Sequence, residues 1–306
     1  MKYVYGPVPS RRLGFSLGVD LTPPKVCSFD CVYCQLGKTT KKTLQRMEYM
    51  PVKDVISEVE EFVDSGQKCD YITMSGSGEP TLNSGIGDVI RAVKSMSDIP
   101  VAVLTNSSLI SDTCVREDIS SADVILPSLD ALTQKNFERV NRPYNGVKVS
   151  DITGGLLKLR EEFEGMIWLE VMLVNGLNTD DNELQLFKKA IELIKPDKVH
   201  LNTVVRPPAE EYAKPLTRER LGEIADLLQA EVIAEFNKEG TTSYEGEKIE
   251  LIRTLLRRRP CTIKDISSAL GFHENETLKY VDGLLEDHVI GKSRRGSGVY
   301  YFENSK

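Results

Sequence analysis

Three cysteines fall within eight residues near the start of the chain, in the run Cys27-Ser-Phe-Asp-Cys31-Val-Tyr-Cys34, a C-x3-C-x2-C spacing. Thiolates on one short loop can grip a single metal centre, and their number decides which kind. A structural zinc takes four protein ligands, usually as two separated pairs. A [4Fe–4S] cluster usually takes four cysteines as well. A cube held by three leaves one iron open to another molecule. The only histidines, His200, His273 and His288, lie far along the chain, so nothing nearby completes a zinc site. A disulfide framework is disfavoured, because the leading MKYVYGPVPSRR lacks the apolar core of a secretory signal and cytosolic thiols stay reduced. Cys69, Cys114 and Cys261 form no second compact motif and read as small buried hydrophobes, the alternative being ligands of an auxiliary cluster.

A second constellation is Ser75-Gly76-Ser77-Gly78-Glu79-Pro80. Its two glycines permit positive φ and let backbone approach a ligand closely, and Pro80 holds Glu79 extended. Read alone, such a turn also suits any tight strand-to-helix junction. Asn106, Ser128 and Asp130 follow two further apolar runs; they suit ligand contacts and ordinary turn or cap roles alike. Arg206 can pair with a phosphate or carboxylate. His200 reads as a hydrogen-bonded core histidine and Trp168 as core, and no two carboxylates or histidines are clearly paired for acid–base work.

The elements that must position these residues alternate. Strands are expected at 16–20, 71–75, 101–106, 124–128, 167–173 and 199–204, rich in Val, Ile and Leu without strict alternation, as strands buried on both faces should be. Amphipathic helices are expected at 52–63, 86–96, 112–119, 133–140, 149–163, 180–194 and 218–237. Repeated strand–helix units imply parallel strands and right-handed crossovers, with function collected at the C-terminal ends of the strands. The polar Gly240–Gly246 stretch reads as a linker, giving domains 1–239 and 240–306. Beyond it, three short amphipathic helices and a β-hairpin turning at Gly296-Ser297-Gly298 read as a small winged helix-turn-helix domain.

The cysteine spacing, with Tyr33 directly before the last thiol, resembles the signature of the radical S-adenosylmethionine (SAM) superfamily. The resemblance implies an open (β/α)6 partial barrel, an α/β fold, with a [4Fe–4S] cluster on Cys27, Cys31 and Cys34 and SAM chelated to the open iron. One electron then cleaves SAM to a 5′-deoxyadenosyl radical, which takes hydrogen from a substrate; the electron comes from a donor such as flavodoxin or ferredoxin. The Gly76–Glu79 turn is similar to the family's Gly-Gly-Glu-Pro motif, which implies that Gly76, Gly78 and Glu79 hold the methionine amino group. By the same resemblance Asn106, Ser128 and Asp130 contact ribose and carboxylate, and Tyr33 packs beside the adenine. The clause from Tyr5 to Asp20 resembles the group of wyosine synthetases that modify tRNA. Those carry a second set of N-terminal cysteines, and no cysteine precedes Cys27 here. Arg11 and Arg12 either sit at the barrel mouth facing phosphates or cap the barrel bottom.

The chain of 306 residues carries a net charge of −7 and gives no overall electrostatic footprint for nucleic acid. No apolar run is long enough to span a membrane, so a cytoplasmic protein is expected. The tail from Gly246 holds 11 Lys and Arg against 9 Asp and Glu, but its expected recognition helix from His273 carries Glu274, Glu276 and Asp282, which would repel phosphates. Three roles for the tail remain open. It holds an RNA through Arg294, Arg295 and the Arg257–Arg259 cluster, or a protein through a strand edge, or it binds DNA as a SAM- or redox-responsive regulator. The expected substrate is RNA, with tRNA favoured by the N-terminal resemblance; a protein or peptide is the alternative.

Overall fold

The computed structural model describes residues 2–205, 208–233, 243–258, 260–295 and 298–304. An eight-stranded sheet is its frame. β1 (Val4–Ser10) forms one edge, antiparallel to β2 (Gly14–Asp20). After β2 come two short paired segments, β3 (Val26–Cys27) and β4 (Lys41–Lys42), and the first helix, α1 (Val52–Asp64). Five strand–helix units follow: β5 (Tyr71–Ser75) with α2 (Ile86–Met96), β6 (Val101–Thr105) with α3 (Thr113–Ile119), β7 (Val124–Pro127) with α4 (Gln134–Val140) and α5 (Val149–Glu162), β8 (Met166–Leu173) with α6 (Asp181–Ile194), and β9 (Lys198–Thr203) with α7 (Arg218–Leu228). Strand β10 (Glu231–Val232) closes the order β1-β2-β5-β6-β7-β8-β9-β10, parallel throughout from β2.

The parallel strands obey a period of two. Leu17 and Val19, Ile72 and Met74, Leu169 and Val171, and Val199 and Leu201 are buried towards the helices, packing with Val59 and Phe62, Ile90 and Val93, Leu156, Phe187 and Ile224. Their sequence neighbours Ser16 and Gly18, Thr73 and Ser75, Glu170 and Met172, and His200 and Asn202 turn to the concave side and line a cavity. Strands β2, β5, β8 and β9 are therefore less uniformly apolar than their Val, Ile and Leu content predicts, because a cavity occupies their inner face, whereas β6 and β7 keep apolar residues on both faces as expected.

At the edges of this frame one expectation changes and one open choice is narrowed. The last helix stops at Leu228 and not near residue 237, because Gln229 adopts φ 51° and caps it in the left-handed conformation, freeing the chain for β10. Arg11 and Arg12 enter from the bottom. They lie in the turn that precedes β2, where Leu13 plugs the cavity floor with Ala102, Val124, Leu126 and Trp168.

The C-terminal unit comprises α8 (Ser243–Arg258), α9 (Ile263–Leu270), α10 (Glu274–Glu286) and a hairpin of β11 (Ile290–Arg295) and β12 (Gly298–Glu303). Helix α9 has a capping box between Thr262 and Asp265 and ends at Gly271, φ 70°. The unit has its own core of Ile252, Leu256, Ile266, Val281, Leu284 and Tyr301. Residues 240–242 of the expected linker, Arg206, Arg259 and the tip of the hairpin turn lie outside the described residues, and residues 243–246, expected as linker, belong to the first turn of α8.

Candidate active site at the barrel mouth

The cysteine loop leaves the C-terminal end of β2 and is held from several sides. Asp30 and Val32 donate their backbone N–H groups to the carbonyls of Asn141 and Val140, at 3.0 and 2.9 Å. Arg142 reaches back to the Asp30 carboxylate at 2.9 Å and to Glu210 at 2.6 Å. An apolar patch of Val32, Val140, Val174 and Val204 lies beneath.

Each cysteine sulfur accepts a side-chain N–H from a different segment. Asn106 Nδ2 stands 3.4 Å from Cys27 Sγ, Asn141 Nδ2 3.4 Å from Cys31 Sγ, and Lys25 Nζ 3.1 Å from Cys34 Sγ. Burial pushes the Cys27 thiol up to about 12 and the Cys31 thiol well above its ordinary value, with neighbouring Glu79 and Asp130 adding to the respective shifts. Burial thus disfavours the bare thiolate at Cys27 and Cys31, and a metal that binds them must displace their protons. Among the described residues, no three His, Cys, Asp or Glu side chains are grouped to hold a single ion. Sulfurs sharing one zinc must crowd to within about 4 Å of one another, given a Zn–S bond of about 2.3 Å. A cluster gives every cysteine its own iron, and three hydrogen-bonded sulfurs on one loop suit it.

The turn after β5 faces the same space. Gly76 sits at φ 133°, and a Cβ there would run into the Asp20 carboxylate; at Gly78 it would run into the Val26 carbonyl. Both glycines line the cavity. Glu79 does not: it is 1% exposed and turned inward. One of its oxygens accepts from Thr81 N (3.1 Å), Thr81 Oγ1 (2.6 Å) and Thr105 Oγ1 (2.7 Å), and the other from Asn106 N (2.7 Å). Burial raises its pKa against these bonds.

Asp130 is similarly engaged. Its carboxylate accepts from Met172 N at 2.9 Å, from Asn141 Nδ2 at 2.7 Å and from the Tyr33 hydroxyl. Burial raises both Asp130 and Tyr33. Asn106 holds Cys27 and the buried Ser28 and does not line the cavity, whereas Tyr33, Ser128 and Asp130 do. In this arrangement Glu79 and Asn106 form a frame that fixes the loop and the turn.

The cavity measures about 360 Å³ and runs from the cysteines down to Arg12. Arg12 pairs with Glu170 on β8, and Arg11 lines the same wall. His200 is buried beside Glu170, its Nδ1 has no hydrogen-bond partner, and burial lowers its pKa. Glu170 was not singled out from the sequence. Its signal was the period of two, a carboxylate between Leu169 and Val171 in a strand otherwise apolar. Arg294 lies outside the cavity and pairs with Glu211 at 2.9 Å. Of the other cysteines, Cys261 is buried, Cys69 half-buried and Cys114 exposed, so Cys114 departs from the expected buried role.

A parallel α/β sheet with three cysteines and a glycine turn at one mouth describes a class of one-electron enzymes, and the comparisons agree. The radical SAM superfamily pattern matches residues 21–188. A UPF0026 protein of Methanocaldococcus jannaschii is 31% identical over all of this chain and 97% of its own. A protein of Brachyspira hyodysenteriae named GTPase Obg is 36% identical over 96% of this chain, but the match spans only 43% of that protein. Among solved structures, a radical SAM methyltransferase from Sphaerobacter thermophilus superposes with a TM-score of 0.56 at 17% identity, over 71% of this chain and 66% of that one. The chain belongs to the radical SAM superfamily, whose enzymes use a [4Fe–4S] cluster and SAM and require a reductant and a substrate. No helix among the described residues is long and apolar enough to cross a membrane.

Proposed function

We propose that Cys27, Cys31 and Cys34 each ligate one iron of the cluster and that the backbone at Gly76 and Gly78 receives the methionine end of SAM beside the open iron. The observation that carries this reading is the set of three sulfurs, each with its own N–H donor, next to a glycine turn that no side chain could enter. Bound there, the two cofactors would supply the one-electron chemistry by which a hydrogen atom is taken from the substrate. The chain's own residues bind and orient. Asn106, Asn141 and Lys25 stabilise negative charge on sulfur, Glu79 fixes the turn from behind, and Asp130 holds the Tyr33 ring where it can pack beside the adenine.

For the substrate we infer an RNA, with tRNA favoured by the N-terminal clause. Support comes from charge: Arg11, Arg12, Lys25 and Lys279 line the cavity against Asp130 and Glu170, in a chain whose net charge is −7. Such local cationic excess suits phosphate groups. The C-terminal elements follow the order of a winged helix, but α10 is not offered to a nucleic-acid groove. Its Asn275, Glu276, Leu278 and Val281 are buried, and its start packs on β1. This speaks against the DNA-binding regulator. Flavodoxin or ferredoxin is the proposed electron donor.

The test is anaerobic 5′-deoxyadenosine formation by the reconstituted, reduced protein in cell extract. Stimulation lost after ribonuclease supports an RNA. Stimulation that survives ribonuclease and disappears after protease replaces it with a protein or peptide.

A further inference from the structure

His273 is the N-cap of α10 and lies 253 residues from Asp20 in sequence, yet their side chains meet. The imidazole stacks on Tyr5, ring centroids 4.3 Å apart and planes 7° from parallel. Tyr5 in turn lies against Gly18, where a Cβ would strike its ring. His273 Nδ1 accepts from the backbone N–H of Asn275 at 3.2 Å, which leaves the proton on Nε2. That N–H points at Asp20 Oδ2, 3.0 Å away. The same carboxylate accepts the Ser77 hydroxyl at 3.0 Å and, on its two oxygens, the Ser77 backbone N–H at 3.2 and 3.3 Å. Ser77 is the residue between Gly76 and Gly78.

We propose that His273 is a positioning residue for the cofactor turn: the C-terminal unit, through His273, orients Asp20, and Asp20 holds Ser77 and thereby the backbone that receives SAM. This rests on the assignment of the Gly76–Gly78 turn to SAM made above. A carboxylate held by several donors has one orientation; with fewer it can rotate, and Ser77 moves with it. Asp20 can lie so close to the turn only because Gly76 has no side chain. Asn275 and Lys279, further along α10, line the cavity itself, so the helix that steadies the cofactor also faces the space left for substrate.

The experiment uses the full chain, reconstituted anaerobically with its cluster. SAM affinity is measured by equilibrium binding, and the SAM-induced change in the electron paramagnetic resonance spectrum of the reduced cluster serves as a second readout. Hydrogen exchange at α10 and β1 reports docking. His273→Ala is expected to weaken SAM binding about 2- to 12-fold, the worth of one net hydrogen bond, and to blunt the spectral change. His273→Gln, whose amide can donate to Asp20, should restore most of it. Unchanged SAM affinity in His273→Ala overturns the proposal whether or not the helix loosens. Equal weakness in both variants overturns it too, because the hydrogen bond is then not the link. Gly78→Val separates this outcome from failure of the underlying assignment: if that variant binds SAM normally, the turn is not the cofactor site.

Discussion

The barrel and the C-terminal unit are held by unlike means. Each has its own apolar core, Leu17 to Phe187 and Ile224 in one and Ile252 to Tyr301 in the other. Their junction contains a ring stack and hydrogen bonds: Tyr5 on His273, His273 to Asp20, and Asn275 to the Tyr5 hydroxyl at 3.4 Å. Apolar burial is strong and indifferent to direction, whereas hydrogen bonds are modest and directional. The cores thus supply stability to the two units separately, and the junction supplies geometry.

The largest effect that separates the two units is removal of a thiol. Cys31→Ser should abolish the visible absorption of the cluster and SAM cleavage, while hydrogen exchange at α10 stays as in the wild type. Cys114→Ser, at an exposed site, should load a full cluster. Loss of α10 protection in Cys31→Ser would mean that the cysteine loop, and not β1, holds the C-terminal unit.

Next comes the second core. Ile252 is fully buried, and Ile252→Ala should cost that unit about 2–5 kcal/mol through lost burial and a cavity. A calorimetric scan should show an early transition for the C-terminal unit and an unmoved one for the barrel. A single lowered transition would show that the two cores melt as one. Gly18→Ala acts on the junction instead. Its methyl meets the Tyr5 ring, an overpacking worth about 1–3 kcal/mol, and should speed exchange in β1 and α10 with the C-terminal core intact.

The same contrast explains what could be read from the sequence. The six longer parallel strands and their helices are legible because local apolar patterns coincide with long-range packing; strand 71–75 and helix 86–96 fall on the observed bounds. The cysteines and the Gly76–Gly78 turn are legible because chemistry restricts the residue types. Strand β1 is not, since Pro7 and Pro9 argue against a strand and its pairing is antiparallel at an edge. The inward roles of Glu79 and Asn106 are hidden for a different reason: a carboxylate behind a glycine turn has the same sequence whichever way it faces. Least legible is His273. Its neighbours Glu274 and Glu276 made the helix look unsuited to DNA, but only the fold reveals that its start lies on Tyr5 and Asp20.

The smallest effect lies at the cavity floor, where barrel and C-terminal unit differ in the opposite sense, His200 being buried and His273 bridging. Burial holds the His200 pKa below the ordinary 6.5. In the unfolded chain this imidazole takes up a proton as pH falls through that value; in the folded chain it does so only at lower pH. Over that interval the unfolded state binds more protons, so stability rises with pH and is lost as pH falls. Above the ordinary value both states are neutral and the contribution is flat. His200→Gln should therefore remove part of the acid-side slope of the melting temperature, with little change at pH 8. Glu170 and Glu231 act against the shift, and Arg12 and Lys198 reinforce it. Disrupting the Arg12 pair by Arg12→Gln should accordingly shrink the slope from the same side. If His200→Gln leaves the slope intact, the acid sensitivity belongs to other groups, and the floor of the cavity accepts a charged imidazole without penalty.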